Sequence, residues 1–363
     1  MPPSARLSDL PPAADMETRR VLKALSVASR ALGELKGRAS TIPNPDILVD
    51  TLTLQEARAS SAIENIVTTH DELFQAELFP QRPGTAAAKE VGRYRSALKL
   101  GFDRLRQRRG IIANNDLIDM FRLLKRRSNE GFRSVPGTVL LHRASGRVIY
   151  EPPQDAREIV RLMGSLERFI NEDDACSLDP LIKMALIHHQ FESIHPFSDG
   201  NGRVGRILNV LYLTKTGLLD SPILYLSRYI NRNKEEYYRL LQRVRTQDDW
   251  EAWTVYMLNA VSETAAVTLR QVNGIRDQMA EVKHRMRREV PRIYSQEMLN
   301  NLFRHPYTRI GYVANDLGVT RQTAAKRLRT LAGHGFVAHR RAGRNSYFVN
   351  ENLLRLFLTA DSP

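Results

Sequence analysis

Apolar residues recur every three or four positions along most of the chain, which is the spacing of one buried helix face. The clearest example runs from Met16 to Lys36. The same pattern predicts a second helix from Asp46 towards Glu64, after a break at Pro43-Asn44-Pro45. Further helices are predicted over residues 86–109, 115–125, 155–171, 181–193 and 202–215. We therefore expect a mainly α-helical protein.

One segment departs from helical spacing. Residues 137–150 contain two β-rich runs separated by Ala144-Ser145-Gly146, a pattern typical of a β-hairpin. Pro152-Pro153 then end the hairpin and begin the next helix. A lone hairpin in a helical domain leaves strand edges unpaired, and such an edge can receive a strand from another chain. The pattern is equally consistent with a structural cover loop.

The stretch from Trp250 to Val290 predicts one or two long helices, closed by Pro291. After this proline the predicted order is three short helices and then two strands around Ala342-Gly343. Thr320 is placed to cap the third helix, which is rich in Lys and Arg. This order is similar to a winged helix-turn-helix, whose basic helix would enter a DNA major groove. Modules of this type also bind proteins or pair with a second copy.

The charge is strongly positive. The 363 residues carry 54 Lys and Arg against 40 Asp and Glu, a net charge of +14. Eleven basic and four acidic residues lie after position 290, so this fifth of the chain holds half of the excess. The charge indicates an anionic partner, either nucleotide phosphates or nucleic acid. A solvated basic surface would give the same total.

Several classes of protein are excluded. The single cysteine, Cys176, excludes a disulfide framework and a cysteine-rich zinc site within one chain. No apolar run approaches the roughly 20 residues that a membrane span needs. The first fifteen residues lack the apolar core of a secretory signal. We therefore expect a cytoplasmic protein that does not act in the membrane.

The densest chemistry lies in residues 195–206, His-Pro-Phe-Ser-Asp-Gly-Asn-Gly-Arg-Val-Gly-Arg. Gly200 and Gly202 let backbone N–H groups converge where a helix begins, and the positive end of the helix dipole favours an anion there. Arg203 and Arg206 are three positions apart and share one face of the first turn. Two guanidinium groups beside a nest of amides suit a polyphosphate.

Two further side chains complete this predicted site. Asp199 would repel a phosphate unless a divalent cation such as Mg²⁺ lay between them. His195 ends the preceding helix and can accept a proton near neutral pH. Gly200, Gly202 and Gly205 also match the dinucleotide-binding spacing GxGxxG, but that motif must follow a strand, and the preceding residues are helical in pattern. The sequence thus predicts a Mg²⁺–nucleotide site with a base beside it.

Residues 195–206 are similar to the Fic motif, HPFx(D/E)GNGRxxR, at every defining position. The hairpin with Gly131-Phe132-Arg133 resembles the flap of that family, and the similarity covers roughly residues 16–265. It implies a mainly α Fic-type domain with a β-hairpin flap, followed here by the winged helix-turn-helix. We expect an N-terminal helical region, a Fic catalytic domain, a helical linker and the winged helix, at residues 1–110, 111–265, 266–290 and 291–363.

This resemblance implies protein AMPylation, in which AMP passes from ATP to a Ser, Thr or Tyr hydroxyl of a target protein or of the enzyme itself, and pyrophosphate is released. His195 would be the general base and Asp199 would hold Mg²⁺. Tyr237 and Tyr238 resemble the adenine wall of the family, and the flap would align the target at about Thr138–His142. The remaining motif residues would bind the phosphates: Gly200, Asn201, Gly202, Arg203, Gly205 and Arg206.

The helix before the motif resembles a brake. Ser60-Ser61-Ala62-Ile63-Glu64-Asn65 matches the inhibitory pattern of the family, (S/T)xxxE(G/N). The resemblance implies that Glu64 pairs with Arg206 and blocks the γ-phosphate. His188 and His189 are expected to be buried and neutral rather than metal ligands, because no acidic partner has ligand spacing.

Two alternative functions stay open at this point. One is a DNA-binding transcription regulator that senses nucleotide through the Fic-like domain. The other is removal of AMP, or transfer of a different phosphorylated group, on the same scaffold. An intact His195 and Asp199 favour catalysis, because a sensor needs neither a base nor both arginines. Relatives of this family often pair, so a homodimer is a candidate assembly.

Overall fold

The computed structural model describes residues 7–69, 72–73, 84–141, 145–172, 176–342 and 345–361. Most of these residues lie in helices, as the apolar spacing predicts. The N-terminal helices are α1 (Arg19–Ala39), α2 (Asp46–Ile63), α3 (Ala86–Gln107) and α4 (Asn114–Lys125). Threonine hydroxyls cap the starts of α1 and α3: Thr18 accepts a hydrogen bond from the backbone N–H of Val21 at 3.3 Å, and Thr85 accepts one from that of Ala88 at 3.1 Å.

The predicted hairpin is present but short. Its strands, β1 (Leu140–Leu141) and β2 (Val148–Tyr150), pair antiparallel. Val139 and Leu141 are 40% and 52% exposed, so apolar side chains of this hairpin face outward. Residues 142–144 lie outside the described residues, and with them His142 at the end of the predicted docking segment. The chain then enters α5 (Ala156–Asn171), where the Asp155 side chain provides the N-cap.

Two consecutive helices, α6 (Pro180–Ile194) and α7 (Asn201–Lys215), form the centre of the protein. Most residues of both helices are buried, so neighbours cover them on several sides. His188 and His189 lie in this core, and burial lowers the pKa of His188 to about 3. The prediction that these histidines are buried and neutral is confirmed.

A single long helix follows α8 (Ser227–Arg232) and α9 (Lys234–Gln247). This helix, α10 (Trp250–Glu289), has 40 residues and packs along α1. Residues 266–290, which the sequence suggests as a linker, include its second half, and that half buries Val272, Ile275 and Met279. None of the helices in the described ranges is long and apolar enough to cross a membrane.

The C-terminal residues form short helices and a small antiparallel sheet. The elements are α11 (Gln296–Arg304), β3 (Tyr307–Thr308), α12 (Ile310–Leu317), α13 (Arg321–Gly333), β4 (Ala338–Ala342), β5 (Asn345–Val349) and α14 (Glu351–Asp361), with strand order β3-β5-β4. The Thr320 hydroxyl caps α13 as predicted, accepting from the backbone N–H of Thr323 at 3.2 Å. Strand β3 and helix α14 were not predicted from the sequence.

These C-terminal elements pack against the helical domain through α14 and α11. A Cβ added to Gly274 of α10 would lie 2.6 Å from Cδ1 of Leu356, so α14 approaches α10 closely. Arg304 of α11 forms an ion pair with Asp50 of α2, with 2.6 Å between Nε and Oδ2. Arg95 of α3 contacts the other oxygen of the same carboxylate at 3.1 Å. The C-terminal part is therefore joined to α2 by charge as well as to α10 by apolar packing.

Replacing Gly101 of α3 with alanine tests the packing of the core. The added Cβ would lie 2.5 Å from Sδ of Met120 on α4 and 2.7 Å from Cδ1 of Leu211 on α7. We expect the free energy of unfolding to fall by about 1–3 kcal/mol, because the core must open or repack. Urea denaturation followed by circular dichroism measures this change.

Gly92→Ala on the same helix is the matched control. Gly92 is exposed and no atom lies within 4 Å of an added Cβ. The higher helix propensity of alanine should raise the free energy of unfolding by up to ~1 kcal/mol. Equal effects of the two substitutions would contradict the close packing at Gly101.

Candidate active site

The predicted nucleotide loop connects α6 to α7, and left-handed residues mark both of its ends. His195 ends α6 with φ of 50°, and Gly200 precedes α7 with φ of 74°. A left-handed conformation is unusual for a residue with a side chain, and at His195 it is held by surrounding contacts. The chain therefore turns sharply twice within six residues and directs the start of α7 at the loop.

Packing and hydrogen bonds hold the loop in this shape. The Phe197 ring stacks on Phe121 of α4 with 4.3 Å between ring centroids. The Asn201 side chain accepts from the backbone N–H of Phe197 at 2.8 Å and donates to its carbonyl at 2.9 Å. Asn201 was predicted among the phosphate-binding residues, and in the structure its side chain holds the loop through these two hydrogen bonds.

Arg133 positions His195 from the segment before the hairpin. Its Nε donates to the carbonyl of His195 at 2.8 Å, and its backbone N–H donates to the carbonyl of Pro196 at 2.8 Å. Burial, and then the positive charges of Arg245 and Arg133, lower the pKa of His195 to about 4. The imidazole is therefore neutral near pH 7 and can accept a proton.

Arg245 of α9 supports the same turn and was missed by the sequence analysis. Its Nε donates to the Ser193 hydroxyl at 3.0 Å, and its Nη2 donates to the Glu192 carbonyl at 3.2 Å. The guanidinium lies 3.9 Å from the ring centroid of Tyr150, whose hydroxyl donates to the Ser193 carbonyl at 2.9 Å. Arg245 carries no local pattern in the sequence, because its partners are about 50 residues away.

The second motif arginine, Arg206, is buried and bound by the predicted brake helix. Its side chain is 2% exposed. The predicted contact with Glu64 is present, with 3.0 Å between Nη2 and Oε1. Ser60 of α2 adds two acceptors, its hydroxyl at 2.8 Å from Nε and its carbonyl at 3.0 Å from Nη2. The end of α2 thus supplies three acceptors to one guanidinium group.

The Glu64 carboxylate lies over the glycine loop. A Cβ added to Gly202 would lie 2.8 Å from Oε1 of Glu64 and 2.9 Å from Nη1 of Arg206. Burial raises the pKa of Glu64, but Arg206, Arg203 and Lys234 outweigh this effect and leave it below the ordinary value. Glu64 is therefore an anion held close to the amides of α7, where a phosphate was predicted.

The first motif arginine and the predicted metal ligand are also paired within the protein. Arg203, 2% exposed, forms an ion pair with Glu90 of α3. Asp199 pairs with Lys125 at the end of α4, with 2.5 Å between Oδ2 and Nζ. The Lys125 ammonium lies 3.8 Å from Oε1 of Glu90. Sequence reasoning missed Glu90 and Lys125, because neither belongs to a motif and both approach the loop through long-range packing.

Three other predicted site residues differ in their exposure and surroundings. Gly205 faces α6, since an added Cβ would lie 2.8 Å from Oε1 of Glu192, so it allows close helix packing. Tyr237 is 1% exposed and its hydroxyl lies 2.9 Å from Nε2 of His188, so it is a core residue. Tyr238 is 43% exposed and is the accessible member of the predicted adenine wall.

The loop suits a magnesium ion that is bound by a protein carboxylate and by the phosphates of a substrate. Within the described ranges no group of three or more His, Cys, Asp or Glu could hold a metal by itself. Asp199 offers one carboxylate, 56% exposed, and an ammonium already stands at it as a substitute cation. Mg²⁺ commonly takes one or two carboxylates together with phosphate oxygens and waters. The site therefore suits a metal that arrives with a phosphate ligand.

Comparison with known proteins gives partial matches to proteins named adenylyltransferases. The protein adenylyltransferase Fic of Drosophila yakuba is 33% identical over 96 residues, which cover 26% of this chain and 18% of that protein. The probable protein adenylyltransferase aq_aa38 of Aquifex aeolicus is 44% identical over 59 residues, 16% of this chain and 18% of that protein. The chain thus spans about a fifth of the length of the curated relatives it matches.

Solved structures extend the likeness of the fold to most of the chain. A Fic family protein from Desulfovibrio desulfuricans superposes with a TM-score of 0.57 at 23% identity, over 93% of this chain and 98% of that one. Fic-1 from C. elegans superposes with a TM-score of 0.53 at 18% identity, over 69% of this chain and 73% of that one. At these identities the likeness establishes the fold alone.

Family profiles match three consecutive parts of the sequence. The N-terminal profile of the Fic/DOC family matches residues 22–103, and its central profile matches residues 112–213, which include the loop. The profile for the C-terminal domain of SoFic-like protein adenylyltransferases matches residues 278–353. Together with the helical fold and the intact loop, these matches show that the chain belongs to the Fic/DOC family.

Proposed function

We propose that this protein is an autoinhibited protein adenylyltransferase, which transfers AMP from ATP to a Ser, Thr or Tyr hydroxyl of a target protein and of itself. The observation that best supports this proposal is the position of the neutral His195, which lies at one end of a loop that leads to two buried arginines, Arg203 and Arg206. A proton acceptor beside cationic groups suits attack on a phosphate ester and departure of an anion. The adenylyltransferase names of the partial relatives support the same reaction.

In the proposed reaction, the target hydroxyl gives its proton to His195 while its oxygen bonds to the α-phosphorus of ATP. The bond from that phosphorus to the bridging oxygen breaks, and pyrophosphate leaves. Arg203 and Arg206 balance the negative charge that grows on the leaving group. Mg²⁺ held at Asp199 would neutralise phosphate charge further. The edge of β1 and the exposed Val139 and Leu141 suit docking of an extended target segment from about Thr138.

The resting state in this proposal is inhibited. Glu64 holds Arg206 and lies against Gly202, so an ATP γ-phosphate cannot reach the guanidinium without displacing a carboxylate. Removal of AMP by the same residues is the alternative chemistry, with Glu64 orienting a water. Label transfer separates the two, because only the forward reaction leaves nucleotide on protein.

Glu64→Gly should raise AMP transfer by at least about tenfold, because it removes one charge-assisted contact from Arg206. His195→Ala in the Glu64→Gly background should abolish transfer, because the base is lost. The measurement is protein-bound radioactivity from ATP labelled on the α-phosphate or, in parallel, on the γ-phosphate. Bound α-label alone is expected.

Asn65→Gly is the matched control for the added glycine. Asn65 has φ of 61°, a conformation that glycine adopts without strain, and the substitution leaves Glu64 in place. Its transfer rate should equal that of the unaltered protein. Bound γ-label would indicate a kinase-like reaction, and equal rates with and without Glu64 would refute the brake.

The rate of transfer should be nearly the same at pH 6.0 and pH 7.5 in the Glu64→Gly variant. The pKa of His195 is about 4, so the base stays deprotonated at both pH values. A histidine with the ordinary pKa of about 6.5 would lose roughly three quarters of its base form at pH 6.0. Initial rates at saturating ATP and Mg²⁺ measure this, and a fourfold fall at pH 6.0 would mean that His195 titrates normally.

DNA binding by the C-terminal module is a second candidate function. The order of α11, α12 and α13 followed by strands β4 and β5 suits a winged helix-turn-helix. The solvent face of α13 exposes Arg321, Lys326 and Arg329, and Arg341 is exposed on β4. A basic helix with this exposure is complementary to a DNA backbone.

Lys326→Glu combined with Arg329→Glu should weaken binding to a fluorescent DNA duplex at every salt concentration. The slope of log affinity against log salt should fall in magnitude by about 2, because two phosphate contacts are lost. Lys23→Glu combined with Arg30→Glu, both exposed on α1, changes the net charge by the same amount and is the control. An unchanged slope in the double variant, or no duplex binding by the unaltered protein, would argue against this function.

A further inference from the structure

Four charged side chains beside the loop form a network, which we name the Glu90 network: Glu90, Lys125, Asp199 and Arg203. Glu90 contacts two cations that face the loop, Arg203 and Lys125, and its other oxygen lies 3.9 Å from Nη2 of Arg93. Lys125 in turn reaches Asp199. The network therefore alternates in sign from α3, through α4, to the loop.

The positions of these charges match those that a metal-bound phosphate would bring. The Lys125 ammonium pairs with the carboxylate of Asp199, the predicted metal ligand, so it lies where a divalent cation would bind. The Glu90 carboxylate pairs with the guanidinium of Arg203, a predicted phosphate-binding residue, so it lies where a phosphate oxygen would bind. One ammonium and one carboxylate thus replace the cation and the anion of the ligand.

The network lies at the glycine loop itself. A Cβ added to Gly200 would lie 3.4 Å from Cδ of Lys125 and 3.6 Å from Nη2 of Arg203. Oδ2 of Asp199 lies 2.5 Å from Nζ of Lys125, so the predicted metal ligand is paired with a cation of the protein itself.

Arg203 is more deeply buried than its partner Glu90 and depends on an anion for neutralisation. Arg203 is 2% exposed, whereas the Glu90 side chain is 20% exposed. Nε of Arg203 is buried and has no hydrogen-bond partner among the described residues. Arg203 therefore needs an anion and still has a free donor, which a phosphate with several oxygens can satisfy better than one carboxylate.

We propose that Glu90 and Lys125 are nucleotide-site residues that occupy Arg203 and Asp199 in the resting protein, and that metal-bound triphosphate must displace them. This makes a second electrostatic barrier, separate from the contact of Glu64 with Arg206. The inference rests on the proposed function, because it assumes that the loop takes a metal-bound triphosphate. Glu90 and Lys125 then compete with the ligand and do not serve only to stabilise the fold.

The test measures nucleotide binding by isothermal titration calorimetry in the Glu64→Gly background, where Arg206 is open. The ligand is ATP with a methylene bridge between its α- and β-phosphates, which cannot be cleaved at the reacting bond, together with Mg²⁺. Glu90→Gln should lower the Kd about tenfold, because the phosphate no longer competes with a carboxylate for Arg203. Asp119→Asn, which removes an equal charge from the ion pairs with Arg104 and Arg122, is the control and should leave the Kd unchanged.

A second variant tests the other half of the network and does not depend on the first one folding. Lys125→Met should lower the Mg²⁺ concentration for half-maximal nucleotide binding about tenfold, because Asp199 no longer has to release an ammonium. Lys89→Met on the exposed face of α3 removes the same charge and should have no such effect. Thermal unfolding of each variant verifies that it is folded.

The outcomes separate this inference from the proposed function. Tighter binding by Glu90→Gln, or a lower Mg²⁺ requirement of Lys125→Met, supports the competition. If the Glu64→Gly parent binds the analogue, but neither variant changes these values or both weaken binding, Glu90 and Lys125 are structural and the inference is wrong. If the Glu64→Gly parent binds no nucleotide, the proposed function fails, and the inference fails with it.

Discussion

A guanidinium group enclosed in a helical core must be neutralised, either by another part of the protein or by a ligand. Arg206 on α7 meets this condition through the C-terminal end of α2, which provides the Glu64 carboxylate and two oxygens of Ser60. The C-terminal end of α2 is therefore held to α7 by charge. A ligand that binds Arg206 would have to displace these oxygens.

The site combines two kinds of contact with different roles. One kind holds the shape of the loop: Phe197 against Phe121, the Asn201 amide, and Arg133 on the His195 carbonyl. The other kind consists of ion pairs at the predicted ligand positions, and each of them pairs a motif residue with one from another helix. Because the first kind does not depend on the second, the loop can keep its geometry while its ionic partners exchange, and preorganisation of this kind lowers the cost of binding.

Local patterns predicted the helices well, because a stripe of apolar residues is a local property of the sequence. The contact between Glu64 and Arg206 was also predicted, through a motif on each side. Glu90, Lys125 and Arg245 were missed, since each reaches the loop by tertiary packing that no spacing records. Tyr237 was predicted to be part of the adenine wall, but its aromatic neighbours Trp253 and Tyr256 enclose it in the core. Strand β3 is too short, and helix α14 too dependent on tertiary packing, to have been predicted from local patterns.

Because α10 is one continuous helix, it limits where a protease can cut the protein. The helix of 40 residues is about 60 Å long and connects the domain that carries the loop to the C-terminal module without a break. Its second half is partly buried, and α14 lies against it at Gly274. Proteases cut extended, exposed backbone, so they find no substrate between residues 250 and 289 until part of this helix unfolds. Limited digestion would thus cut in surface loops, such as residues 290–295 between α10 and α11, before it cut within this helix.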